Sequence, residues 1–166
     1  MIKLKNILVA TDFSEPSDSA LEYGRALALN FGARLHVLHV VEIPTLSAGT
    51  DGAAYDFALM RESLEEDARL KLADLLGPDV GQPPAMTTAV RTAPSPAMVI
   101  ADYARDFNID LIVMGTHGRG LLGHIFMGSV AERVVRIAPC PVLTLRNPEH
   151  EFVFPDALQT VTAAKK

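Results

Sequence analysis

Five short apolar runs, each separated from the next by a stretch with helical or turn character, constrain this chain more than any other feature. "NILVAT" (6–11), "RLHVLHVV" (34–41), "MTTAVR" (86–91), "DLIVMG" (110–115) and "PVLTLR" (141–146) are rich in β-branched residues, and several are nearly continuous in apolar character. That is the pattern of strands buried on both faces. The first run is followed by helix signals: Asp12 and Ser14 offer N-cap oxygens, and Pro16 suits a first turn. Ala20, Leu21, Gly24, Leu27, Ala28 and Phe31 then keep helical spacing up to Gly32. Residues 57–77 form an amphipathic pattern closed by Gly77-Pro78. Residues 95–108 place Ile100, Tyr103, Ala104 and Phe107 on one side of a helix, and 129–138 turn Val130 and Val134 inward. The Pro/Gly/Ser/Thr-rich passage 43–54 reads as a mobile loop.

Strands alternating with helices predict βαβ units and an α/β fold: an open five-stranded parallel sheet with helices on both faces, Rossmann-like. One domain is expected over 1–147, followed by a tail, 148–166, without clear periodicity. His36 and His39 fall on opposite faces of the second strand, which argues against a joint metal role.

Composition narrows the function. The net charge of -5 disfavours a broad nucleic-acid or anionic-membrane surface. No apolar run approaches the roughly 20 residues that span a bilayer. The opening "MIKLKNILVATDFSE" passes from a short apolar segment into acidic residues with no small-residue cleavage site, so it reads as a strand and not a signal peptide. The single cysteine, Cys140, excludes an internal disulfide framework, and a cytoplasmic setting is expected. Cys140 lies between two prolines and reads as a packed small residue.

"GTHGRGLLGHIFMGS" (115–129) carries two glycine patterns. Gly118, Gly120 and Gly123 spell the dinucleotide string G-x-G-x-x-G, but they follow the fourth strand, and the position twenty beyond Gly123 is a leucine. The dinucleotide motif needs the first strand and an acidic residue there. Gly115, Gly118 and Gly128-Ser129 spell G-x2-G-x9-G-S. Gly115 ends a strand, where a missing side chain would let a ligand approach the backbone. Gly128-Ser129 opens a helix with free N–H groups, a hydroxyl and the positive end of the dipole, which together make an anion site. Arg119 adds a cation in the same loop. On spacing alone, the same glycines also suit a long turn into a helix. His117 and His124 flank the loop without the partners of a zinc site.

The segments "ILVATDFS", "LHVV" and "DLIVMGTHGRGLLGHIFMGSVAERVVRIAPCPVLTLR" resemble the universal stress protein family, from about Lys5 to Arg146. The resemblance implies a five-stranded, adenine nucleotide alpha-hydrolase-like fold, homodimers, and, since the full glycine pattern is present, the branch that binds ATP. Carried over by position, Asp12 would meet the adenosine part with Ala10 and Thr11 beside it, and Val40 would flank adenine. Met114, Gly115 and Gly118 would line the ribose and first phosphates, with Arg119 as the basic residue of the loop. Gly128, Ser129 and Val130 would hold the phosphates. Mg²⁺ would come with the ATP. The family pairs its fifth strand antiparallel across a two-fold axis, here through Val142, Leu143 and Leu145. Ala10 stands where some binding members have proline, and "RTAPSP" lacks the glycine usual after the third strand.

No Walker phosphate loop, nucleophile elbow or kinase signature is present. The sequence therefore favours an ATP-binding, nucleotide-responsive module over an enzyme. A slow ATP hydrolase and a structural dimer without nucleotide are the alternatives.

Overall fold

The strand order β3-β2-β1-β4-β5 places the first strand at the centre of a parallel sheet and makes the chain reverse direction beside it. A computed structural model of the chain describes residues 2–43, 51–77, 84–116 and 128–145, with backbone alone over 51–57. In chain order the elements are β1 (Asn6–Thr11), α1 (Glu15–Phe31), β2 (Arg34–Glu42), α2 (Asp51–Leu76), β3 (Met86–Ala93), α3 (Pro96–Asp106), β4 (Leu111–Gly115), α4 (Ser129–Ile137) and β5 (Val142–Leu145). Each run read as a strand is one, and the expected α/β architecture is present.

The alternation along each strand divides the core between the two faces. Ile7, Val9, Leu35, Val37 and Val113 pack against Ala20, Leu21 and Ala28 of α1 and Leu72 and Leu76 of α2. Leu8, Leu38, Ile112 and Met114 pack against Ile100, Tyr103 and Ala104 of α3 and Val134 of α4. Full burial of each such aliphatic side chain stabilises the fold by about 1.5–3 kcal/mol. Gly24 lets α1 lie close on β1, because a Cβ there would collide with Val9 Cγ2.

At the opposite end of the sheet, Asp110 ties β1 to β4. Its Oδ2 accepts the Lys5 and Asn6 N–H groups at 2.6 and 2.9 Å. Its own N–H donates to the Asn6 carbonyl at 2.8 Å.

Two expectations need correction. The passage 43–54 is not all loop: α2 is already helical at Asp51. Ala53 and Ala54 are strong helix formers, and they outweigh Gly52 once the helix continues behind them. Phe31 and Phe107, expected on inward faces, are each more than two-fifths exposed, at 44% and 41%. Both lie at the C-terminal ends of their helices. The tail 148–166 lies outside the described residues.

Candidate functional site

β1 and β4 are neighbours whose connections leave to opposite sides, so a crevice opens beyond their carboxyl ends. The exit of β1 is held by hydroxyls. Thr11 Oγ1 lies 3.0 Å from Ser17 Oγ, in a buried contact. Ser17 has one hydroxyl proton and directs it to the Ser14 carbonyl at 2.7 Å, so Thr11 is the donor between the two hydroxyls. Thr11 Oγ1 also accepts the Phe13 N–H at 3.0 Å, and Ser17 Oγ accepts the Ser14 N–H at 3.0 Å. The Ser14 hydroxyl donates to Asp12 Oδ1, and the Ser14 N–H reaches the same oxygen at 3.2 Å. The carboxylate of Asp12 is thereby oriented by the start of α1.

Within this turn Phe13 adopts a left-handed backbone, with φ of 62°. Such a conformation is unfavourable for a bulky residue and persists only where its surroundings hold it. Here the Thr11 hydroxyl holds its N–H, and its ring packs on His39 with centroids 4.4 Å apart. His39 Nδ1 lies 2.8 Å from the Thr11 carbonyl. A carbonyl only accepts, so Nδ1 carries the proton.

Gly115, at the end of β4, faces the start of α1. A Cβ on it would stand 2.9 Å from Pro16 Cβ and 3.0 Å from the Pro16 carbonyl carbon and oxygen. The space where a side chain would stand is taken by α1, which gives the glycine a packing reason beside the ligand approach expected of it. The next residue, Thr116, is buried, and its N–H continues the β4–β5 ladder to the Leu145 carbonyl at 2.7 Å. The Thr116 carbonyl accepts the Gly128 N–H, so the residues on either side of positions 117–127 are joined directly.

The two helix N-termini at this crevice differ. α1 is capped by Ser14 and Ser17 from its own chain. α4 has Gly128 as its N-cap, with an ordinary extended backbone (φ -68°) and no side-chain acceptor. Glu132 N–H makes the first intrahelical bond, to Gly128, at 2.9 Å. The N–H groups of Ser129, Val130 and Ala131 precede it and are available to an anion.

A pocket of about 640 Å³ joins these parts. Ala10, Thr11, Asp12, Val40, Met114, Gly115, Gly128, Ser129 and Val130 all line it, as expected from the sequence. Gly118 and Arg119, with His117, Gly120, Gly123 and His124, lie outside the described residues. Sequence reasoning missed Phe13, His39, and Pro96 and Ile100 of α3. Strand parity was the available signal for His39, since it faces the same side as Thr11, its partner in register. Charge in the pocket is divided: Asp12, Glu42 and Asp67 are acidic, while Lys71 and the start of α4 are positive. Asp18, on the first turn of α1, has its carboxyl held above the usual carboxylate range by burial first, then by Asp12 and its own helix neighbours.

Cys140 packs partly buried beneath the α3–α4 face, and burial pushes its thiol up. No group of three or more His, Cys, Asp or Glu among the described residues could hold a metal ion. No helix among them is long and apolar enough to cross a membrane.

Comparison with known proteins follows the same lines. Residues 3–146 match the model of the universal stress protein family. A universal stress protein of Methanocaldococcus jannaschii, MJ0531, is 34% identical over 154 residues, covering 89% of this chain and 85% of its own. The solved structure of MJ0577, from the same organism, has a TM-score of 0.74 at 28% identity, covering 90% of this chain and all of that one. The universal stress protein UspA of Lactobacillus plantarum has a TM-score of 0.72 at 26% identity, over 88% of this chain and 100% of that one. By sequence and by fold, this chain belongs to the universal stress protein family.

Proposed function

We propose that this chain is an ATP-binding member of its family, acting in the cytoplasm as a nucleotide-responsive module. The observation that carries the reading is the start of α4, capped by a glycine without a side-chain acceptor, lining one pocket with Asp12. An anion at Ser129 and Val130 gains N–H donors and the helix dipole. The pocket volume lies within the usual range for small-ligand sites, about 300–1,000 Å³. The Asp12 carboxylate, fixed by Ser14, is placed to accept hydrogen bonds from a nucleoside, and Ala10, Val40 and Met114 supply an apolar wall for a base. Gly118 and Arg119 belong to the proposal through the glycine pattern. Mg²⁺ fits as a companion of the phosphates: a magnesium site needs only one or two carboxylates beside substrate oxygens. A solved universal stress protein in complex with cAMP shares the fold, at 21% identity and a TM-score of 0.56, a likeness of fold alone.

Binding alone accounts for these parts. ATP hydrolysis is the second reading: His39 lines the same pocket, with its Nδ1 2.8 Å from the Thr11 carbonyl. Mass spectrometry of nucleotide released from freshly purified protein, followed by a multiple-turnover assay, tests both. The binding reading expects retained adenine nucleotide and turnover far below the roughly 1–10³ per second of typical enzymes. Turnover within that range, lost on changing Ser129 or Asp12, favours the enzyme.

A further inference from the structure

The second strand carries a buried imidazole that the pocket does not use. His36 is 4% exposed, and its Nδ1 lies 3.0 Å from the Tyr103 hydroxyl on α3. Its Nε2 is buried without a hydrogen-bond partner. Tyr103 and Phe107 close over the ring, with centroids 5.8 and 5.6 Å away, and stack on each other at 4.2 Å. In the sheet, Leu8 of β1 and Thr87 of β3 flank His36.

Among the described residues, the charged groups acting on this ring and on Tyr103 are of one sign. Arg34 lies on the same strand and face, and Arg91 of β3 acts on Tyr103. On α3, Asp102 is paired with Arg105 at 2.7 Å on the exposed side, and Asp106 lies on the exposed side of the same helix. β1 offers only Leu8. An imidazolium at this position would be a buried cation without an anionic partner, which is costly. α3 also carries Pro96 and Ile100 into the pocket wall, and Ile100 is one helical turn from Tyr103.

We propose that His36 is a proton-operated catch on α3: protonation drives the Tyr103–Phe107 end of the helix off β2 and loosens the pocket wall formed by Pro96 and Ile100. Burial, with Arg34 acting in the same direction, holds the imidazole below its ordinary value of 6.5. The unfolded or opened chain therefore binds the proton more readily. The stabilising effect of the closed ring is present above that value and is lost as pH falls below it. The consequence for the pocket rests on the nucleotide reading; the movement of α3 does not.

Hydrogen exchange of the full chain, at about pH 7.5 and about pH 5.5, brackets the histidine range. The comparison is between the native chain and His36→Phe, which keeps a flat ring among the aromatics and cannot titrate. Protection factors of the α3 amides should fall on acidification in the native chain and hold in the variant. Equal losses in both would overturn the catch. Should His36→Phe not fold, ring-proton titration of the native chain decides: Tyr103 and Phe107 resonances should move with His36. Fixed aromatic resonances while His36 titrates would count against the proposal. ATP titrations of both proteins at both pH values complete the test, with the larger acid loss of affinity expected in the native chain. Absence of ATP binding at every pH would reject the nucleotide reading and leave the exchange result to decide the catch.

Discussion

Gly115 and Pro16 touch so closely that any side chain at position 115 would force one of them to shift: an added Cβ would lie 2.9 Å from Pro16 Cβ and 3.0 Å from its carbonyl carbon and oxygen. The end of β4 and the start of α1 are thus one packed unit, and the carboxylate of Asp12 hangs from it.

Gly115→Ala should destabilise the fold by about 1–3 kcal/mol, the usual cost of overpacking, and weaken nucleotide binding with it. Urea denaturation beside a binding titration checks both. Unchanged stability with lost binding would instead support the view that the glycine serves ligand approach.

α2 is fastened to β3 by Thr92, whose hydroxyl donates to Glu65 Oε1 at 2.7 Å. This hydrogen bond first, with Arg61 and Arg69 behind it, holds the Glu65 carboxyl below its ordinary range. A depressed carboxyl stabilises the fold above its unfolded value and ceases to do so as pH falls through the folded one. Thr92→Val should therefore cost about 1 kcal/mol near neutrality, and the gap should close in acid below the ordinary carboxylate value of 4.5. Denaturation curves across pH would show it, and a gap that stays constant would count against the tie.

Much of this architecture is legible in the sequence because the runs are local. "NILVAT" and "DLIVMG" mark central strands by their continuous apolar character, and Ser14 and Pro16 mark the start of α1. Nine residues of the candidate pocket are those that the family resemblance implies, and Gly115, Gly128 and Ser129 among them also follow from the glycine pattern. What escaped depends on which strands become neighbours. The clash of Gly115 with Pro16, the left-handed Phe13 on His39, and the Thr11–Ser17 pair exist only because β1 and β4 exit side by side. The early start of α2 escaped for a local reason, since Gly52 and the residues before it outweighed Ala53 and Ala54 in a reading by composition.

β5 is a sheet edge, as expected, and pairing with a second copy remains our proposal for covering it. The register decides how to test it. Ile112 N–H donates to the Pro141 carbonyl at 3.0 Å and Thr116 N–H to the Leu145 carbonyl at 2.7 Å. Odd-numbered residues of β5 therefore turn their backbone toward β4, and a proline at Leu143 would break the sheet itself. Val142 and Thr144 turn theirs to the free edge. Thr144→Pro should yield folded monomers where the native chain gives dimers by light scattering. A native monomer, or a dimer that survives Thr144→Pro, contradicts the interface.

The central claim is that α4 holds the phosphates of ATP at its glycine-capped start. Gly128 has an ordinary extended backbone that a β-branched residue adopts without strain, so Gly128→Val puts a side chain at the approach to the helix at no backbone cost. Calorimetric titration of ATP into nucleotide-free native protein and into Gly128→Val is the direct test, with thermal unfolding of both as the control. Binding near one ATP per chain is expected in the native protein, with its loss in Gly128→Val and closely similar unfolding temperatures. No heat of binding to the native chain, or the same affinity in Gly128→Val, would contradict it.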